Sequence, residues 1–259
     1  MFIDTHTHIY VKQFDDDRAE MIDRAIEQGV ETFFLPNIDV ESVAAMHTLE
    51  EQYPKRCHAM MGLHPCSVGA DFESQLSIIK EHFDKRKYVA VGEIGIDLYW
   101  EKKFFDQQVK AFKEQISWAI AADIPIVIHC RDATKEVLQV LEECKHDKLR
   151  GIFHCFGGSV EDAQAIIAQG FLLGIGGVLT FKKAGLDNTL LEIGLEHLVL
   201  ETDSPYLAPV PFRGKRNESA YVRLVAQKLA EIKGVSIEEV GRITSENALR
   251  VFQMDQKLN

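Results

Sequence analysis

The chain has no CxxC pair, and its five cysteines, at positions 57, 66, 130, 144 and 155, form an odd set. That argues against a disulfide scaffold and for the reduced thiols of a cytoplasmic protein. Basic charge is also scarce: 29 Lys and Arg stand against 40 Asp and Glu, a formal net charge of -11. An extended positive surface gripping long duplex by counterion release is therefore not expected. Divalent ions bound in an acidic cleft would invert the local potential, so an anionic substrate stays admissible. No apolar run reaches membrane-spanning length, and the first residues carry neither a basic n-region nor a long h-region, so no membrane contact is expected. No low-complexity stretch, charge block or Pro/Gly/Ser-rich hinge interrupts the 259 residues. One domain over 1–259 is expected, with no obligate protein partner.

What the chain does have is a steady alternation of short apolar runs and amphipathic segments up to about residue 234. Strands are predicted near 2–8, 31–36, 57–63, 89–94, 125–130, 150–155, 171–176 and 198–202. The clearest helix spans 104–122, where Phe105, Val109, Phe112, Ile116, Ala119 and Ile120 recur at three- and four-residue steps. Ser159 with Asp162 resembles a capping box. A last helix, after Ser236, follows the eighth unit. Strict alternation implies parallel pairing through crossover helices, and eight such units fit an α/β single-domain (β/α)8 TIM-type barrel with an additional C-terminal helix.

Potential metal ligands recur at the carboxyl ends of these runs. His6 and His8 in Phe2-Ile-Asp-Thr-His-Thr-His8 are expected to project from the same face of the first strand and to reach one ion together. Glu93, His129, His154 and Asp203 close later runs. An open sheet gathers ligands at one switch point, whereas only a closed ring brings the ends of first, third, fourth, fifth, sixth and eighth strands together. His47, His58, His82, His146 and His197 fall on helices or at strand beginnings and read as surface or partly exposed imidazoles. Imidazoles and carboxylates suit zinc, manganese or magnesium. Six donors exceed one tetrahedral catalytic site, which points to two divalent ions per chain sharing Glu93 from the middle strand.

Around this set, Glu201 is expected one layer below Asp203, orienting a ligand histidine. His64 in Gly62-Leu-His-Pro65 either orients substrate or hydrogen-bonds across the mouth. Gly174-Ile-Gly-Gly177 either makes room for substrate or serves a bend. Cys130 and Cys155 are expected to face the helices. Arg213, Lys215 and Arg216 are expected to form a phosphate clamp.

The ordered series Phe2-Ile-Asp-Thr-His-Thr-His8, Gly62-Leu-His-Pro65, Gly92-Glu-Ile-Gly-Ile-Asp97, His129-Cys-Arg-Asp132, His154-Cys-Phe-Gly157, Glu201-Thr-Asp-Ser-Pro205 and Arg213-Gly-Lys-Arg-Asn217 resembles the TatD family of metal-dependent deoxyribonucleases, in the amidohydrolase superfamily. The resemblance covers essentially the whole chain. It implies His6, His8, Glu93 and Asp203 around one metal and Glu93, His129 and His154 around another. It also implies exonucleolytic hydrolysis of phosphodiesters at nucleic-acid ends, chiefly DNA. Gly157, where the family often has Ser or Thr, and Ser219, where Pro often follows Asn-Glu, depart from the pattern in what read as substrate loops. In the expected mechanism Asp203 and Glu93 are the catalytic carboxylates, and Arg131, Arg213 and Arg216 bind phosphate oxygens. Two alternatives share the site: hydrolysis of an amide, lactone or aminoacyl-tRNA ester, and a non-catalytic metal-bound scaffold.

Overall fold

The computed structural model describes residues 1–100 and 102–254; position 101 and the last five positions of the expected 1–259 domain lie outside them. Eight strands alternate with helices: β1 (Phe2–Asp4), α1 (Arg18–Glu27), β2 (Val30–Pro36), α2 (Val43–Gln52), β3 (Cys57–Met60), α3 (Phe72–Lys85), β4 (Val91–Asp97), α4 (Phe105–Ala122), β5 (Ile126–Arg131), α5 (Thr134–Glu143), β6 (Gly151–Phe153), α6 (Val160–Ala168), β7 (Phe171–Ile175), α7 (Leu186–Glu192), β8 (Leu198–Leu200), α8 (Val222–Lys233) and α9 (Ile237–Val251). Every pairing is parallel, in the runs β1-β2-β3 and β4 through β8.

Sparse contacts close the two runs into a ring. Met61 bridges to Val91, and Gly92 N donates to Met61 O at 3.1 Å. Between β1 and β8, Thr5 N donates to Leu200 O at 3.0 Å and Thr7 bridges to Ser204. The result is the expected TIM-type barrel. Helix boundaries follow local chemistry. Ser159 and Asp162 form a reciprocal capping box on α6, Ser236 Oγ accepts Glu239 N on α9, and Gly234 ends α8 at φ 66.

The interior has two layers. At the amino ends, Ile3, Phe34, Met60, Ala90, Val127, Ile152, Leu172 and Val199, one from or next to each strand, form an apolar floor. Helix α9 seals it from below with Ala248, Leu249, Val251 and Phe252. The Phe252 ring stacks on Phe34 with centroids 3.8 Å apart. Asn247 Nδ2 donates to the carbonyls of Leu195 and Leu198 at 2.8 Å each, pinning α9 to the base of β8. A Cβ at Gly241 would collide with the Phe2 ring, so glycine is what lets α9 approach β1 this closely.

Candidate metal centre

The upper layer is polar. β1 stops at Asp4 rather than running through residue 8, so His6 and His8 do not owe their common direction to strand alternation. They are threaded between neighbours instead: Thr7 N donates to Phe34 O at 3.0 Å, Asp203 N to His6 O at 2.9 Å, and His8 N to Ser204 O at 2.8 Å. Asp4, which the sequence did not single out, anchors this crossing, its carboxylate accepting Thr202 N at 3.0 Å and Thr202 Oγ1 at 2.6 Å. Burial pushes its carboxyl up to about 7.

Glu93 sits within β4 at a register shift between Val91 and Ile94, an irregularity of the kind that re-aims a side chain. His129 lies on β5 and His154 one residue past β6. Asp203 lies three residues past β8, at φ 57. Asp132, Cys155 and Leu207, after β5, β6 and β8, share this left-handed backbone at φ 50 to 53. Non-glycine residues adopt it at a cost of order 1–3 kcal/mol each, which concentrates strain on the mouth.

These side chains meet around one buried carboxylate. Glu93 Oε2 lies 3.1 Å from His6 Nε2 and 3.6 Å from His8 Nε2. Its other oxygen, Oε1, lies 2.8 Å from His129 Nδ1 and 3.2 Å from both His154 Nε2 and His64 Nε2. Asp203 Oδ1 completes the first side, 3.8 Å from His6 Nε2 and 3.6 Å from His8 Nε2. Three groups of donors thus form, each with ligand atoms within 4.8 Å of one another: His6, His8 and Asp203; His6, Glu93 and His154; His64, Glu93 and His129. The other five histidines join none of them.

Hydrogen bonds behind the rings fix where the lone pairs point. Tyr10 Oη donates to the Pro36 carbonyl, so it accepts from His8 Nδ1 at 3.0 Å. His8 Nε2 is then a bare lone pair, yet it faces two carboxylate oxygens. His129 Nε2 donates to Asp97 Oδ2 at 2.8 Å, turning Nδ1 toward Glu93. His154 Nδ1 donates to Glu201 Oε1 at 3.2 Å, turning Nε2 toward Glu93. The rings thus present nitrogen toward carboxylate oxygen around one pocket, a mixed imidazole and carboxylate set of the kind that fits a divalent cation.

The protonation directions agree. Burial opposes charge on Glu93, but the His154 imidazole and the hydrogen bond from His129 outweigh it and hold the carboxyl well below its ordinary value. Burial likewise disfavours charged His129 and His154, yet Asp97 with Glu93, and Glu93 with Glu201, raise both imidazoles. Burial, reinforced by neighbouring His154, keeps His6 neutral. Burial pushes Asp203 up to about 6. A bound cation would take the place of the protons on His129 and His154.

The expected outer residues divide. His64 Nδ1 accepts Cys66 N at 3.0 Å, so its neutral ring carries the proton on Nε2 and donates toward Glu93. Glu201 supports His154 and also accepts Cys155 N at 2.6 Å. It fills the space at Gly174, where a Cβ would strike its carboxylate; that glycine makes room for Glu201, not for substrate. Arg216 is a correction: its two prongs are spent on Asp17 at 2.6 and 2.7 Å and on the Gln13 carbonyl, locking the β8–α8 loop to the start of α1. Arg213 lies over the Phe181 ring at 3.6 Å and Arg131 over Tyr99 at 4.0 Å. Ser219 is buried, 3.3 Å from the Thr7 hydroxyl, and belongs to the barrel wall rather than a substrate loop. Cys130 and Cys155, expected to pack under helices, line with Gly157 and His154 a cavity of about 270 Å³ beside the cluster. Burial pushes their thiols up to about 11 and about 12, so neither offers a thiolate at neutral pH.

Asp97 and Tyr10, the supports of His129 and His8, were missed from sequence. Asp97 had a usable signal, because it ends a strand four residues after Glu93.

Comparison with known proteins follows the same lines. The family model "TatD related DNase" matches residues 3–253. A Bacillus subtilis protein named as the metal-dependent hydrolase YabD is 40% identical over 256 residues, 98% of this chain and 100% of that protein. The 3'-5' ssDNA/RNA exonuclease TatD of Pectobacterium parmentieri is 29% identical over 258 residues, covering 97% and 99%. The crystal structure of Escherichia coli YjjV, a TatD homologue, superposes with a TM-score of 0.92 at 28% identity, covering 98% of both chains.

Proposed function

This chain belongs to the TatD-related DNase family of metal-dependent hydrolases, and from that premise we propose that it removes nucleotides from DNA ends by hydrolysing phosphodiesters with two divalent ions. The observation that carries the reading is the division of labour within one carboxylate: Glu93 Oε2 faces His6 and His8, while Oε1 faces His129 and His154. On this reading His6, His8, Glu93 and Asp203 hold one ion, and Glu93, His129 and His154 the other.

Bound there, magnesium, manganese or zinc would acidify a water and polarise a phosphoryl oxygen. The chain's residues do the rest. Asp203, beside His8 on the open side, holds the attacking water and accepts its proton as the water oxygen bonds to phosphorus; the bond to the ribose oxygen breaks in line, and that oxygen leaves as a hydroxyl with a proton returned from Asp203. Arg131 and Arg213 grip the non-reacting phosphate oxygens. His64, with its proton fixed on Nε2, donates toward the bridging side of the site. The Pectobacterium relative, named as an exonuclease of single-stranded DNA and RNA, supports a polymeric substrate.

The test is an end-labelled single-stranded oligonucleotide incubated with metal-reconstituted protein, with chelated and re-metallated controls. Stepwise shortening that stops on chelation and returns on add-back is expected. Cleavage of a lactone or misacylated tRNA without any shortening of the oligonucleotide would overturn the assignment.

A further inference from the structure

We propose that Tyr99 and Trp100, with Arg131, form a stacking platform for the unpaired bases of a single-stranded nucleic acid, DNA or RNA; this rests on, and sharpens, the phosphodiesterase reading. Trp100 is 68% and Tyr99 54% exposed, among the most exposed large apolar side chains of the described residues. Burying a large side chain is worth roughly 1.5–3 kcal/mol, so leaving two neighbouring rings in water forgoes a sizeable gain. They stand T-shaped, 4.9 Å apart, on the loop leaving the carboxyl end of β4.

The loop is held, not loose. Asp97 Oδ1 accepts both Tyr99 N at 2.9 Å and Trp100 N at 2.8 Å, and Leu98 N donates to Arg131 O at 2.9 Å. The other oxygen of Asp97 accepts from His129 Nε2 at 2.8 Å. One carboxylate therefore positions both the aromatic pair and an imidazole facing Glu93, which makes the platform continuous with the candidate metal centre.

Its chemistry selects the occupant. The Arg131 guanidinium lies 4.0 Å from the Tyr99 centroid and 5.4 Å from that of Trp100, a cation beside two π-faces in a chain of net charge -11. Flat rings flanked by arginine match a base and its phosphate. A base inside a duplex has its faces covered, so the strand must be single or frayed. Stacking ignores the sugar, so DNA and RNA are both accepted.

The experiment uses two phosphorothioate strands of equal length that resist cleavage, one with bases and one abasic throughout, titrated against the metal-reconstituted protein. Trp118, at 5% exposure, is shielded, so Trp100 dominates any quenching. The base-bearing strand is expected to quench tryptophan emission and the abasic strand to leave it unchanged. By anisotropy with a labelled strand, Trp100→Ala is expected to weaken binding of the base-bearing strand on the order of tenfold or more, with Trp100→Phe recovering part of the loss. Equal binding of the two strands, or unaltered affinity in Trp100→Ala, would overturn the platform, as would a protein partner on this face that oligonucleotide fails to displace. Base-dependent quenching in a protein that cleaves no strand would keep the platform and reject the phosphodiesterase reading.

Discussion

The floor and the mouth of the barrel are built from the same strands and obey opposite rules. Val127, Ile152 and Val199 sit two residues below His129, His154 and Glu201, so the same three chain segments pass from oil to the polar cluster within two residues. The floor is packed, apolar and sealed by α9. The mouth is strained, polar and mutually dependent, with His8, His64, His129 and His154 each aimed by a second group. The difference teaches that stability and chemistry are separable here by height along the barrel axis.

That separation can be broken at either end. The largest effect is expected for Glu93→Gln. Losing a charge shared by two donor sets should remove several kcal/mol of transition-state stabilisation, on the order of 10³-fold in turnover, in a protein whose thermal melt is close to the parent's. Oligonucleotide assays beside circular dichroism check it; a collapse of the melt would tie mouth and floor together.

The converse is Phe252→Ala, which empties the seat under Phe34. A loss of about 3–5 kcal/mol is expected by urea denaturation, with unchanged metal content at 25 °C. Lost metal binding at full stability would invert the comparison.

Smaller, and confined to the upper layer, is Gly174→Ala. The added methyl must displace Glu201 and free His154, weakening metal retention about 10–100-fold. At Gly157 a Cβ would meet nothing within 4 Å, so Gly157→Ala should leave metal affinity as it was. Competition with a chromogenic chelator reads both.

The smallest concerns the loop that frames the mouth. The Arg216 guanidinium beside Asp17, with Arg24 assisting, holds that carboxyl down from 3.8 to about 2. A depressed carboxyl contributes stability above its unfolded pKa and loses it as pH falls through the folded value, so the contribution should fade between about pH 4 and about pH 2. Asp17→Asn should remove that part of the acid dependence, at a cost of no more than about 1 kcal/mol near neutrality for so exposed a pair. Urea titrations at several pH values measure it.

Much of the floor and barrel order was legible because period and capping are local. The alternation placed eight strands within a few residues, and Ser159 announced α6. That His6, His8, Glu93, His129, His154 and Asp203 come together was legible because their residue types recur at strand ends. What was not legible depends on contacts between distant segments. Asp4, Tyr10 and Asp97 became supports only once Thr202, the Pro36 carbonyl and His129 were brought to them. Arg216 read as a clamp because nothing local shows that Asp17 is waiting 199 positions away. His6 and His8 were right in direction for the wrong reason, since β1 ends before them.

The account turns on Glu93 joining two cation positions. Anomalous diffraction at the manganese edge, from crystals reconstituted with manganese, tests this directly. Two peaks about 3.5–4 Å apart, one on each side of the Glu93 carboxylate, are expected. A single peak, or peaks remote from Glu93, would contradict it.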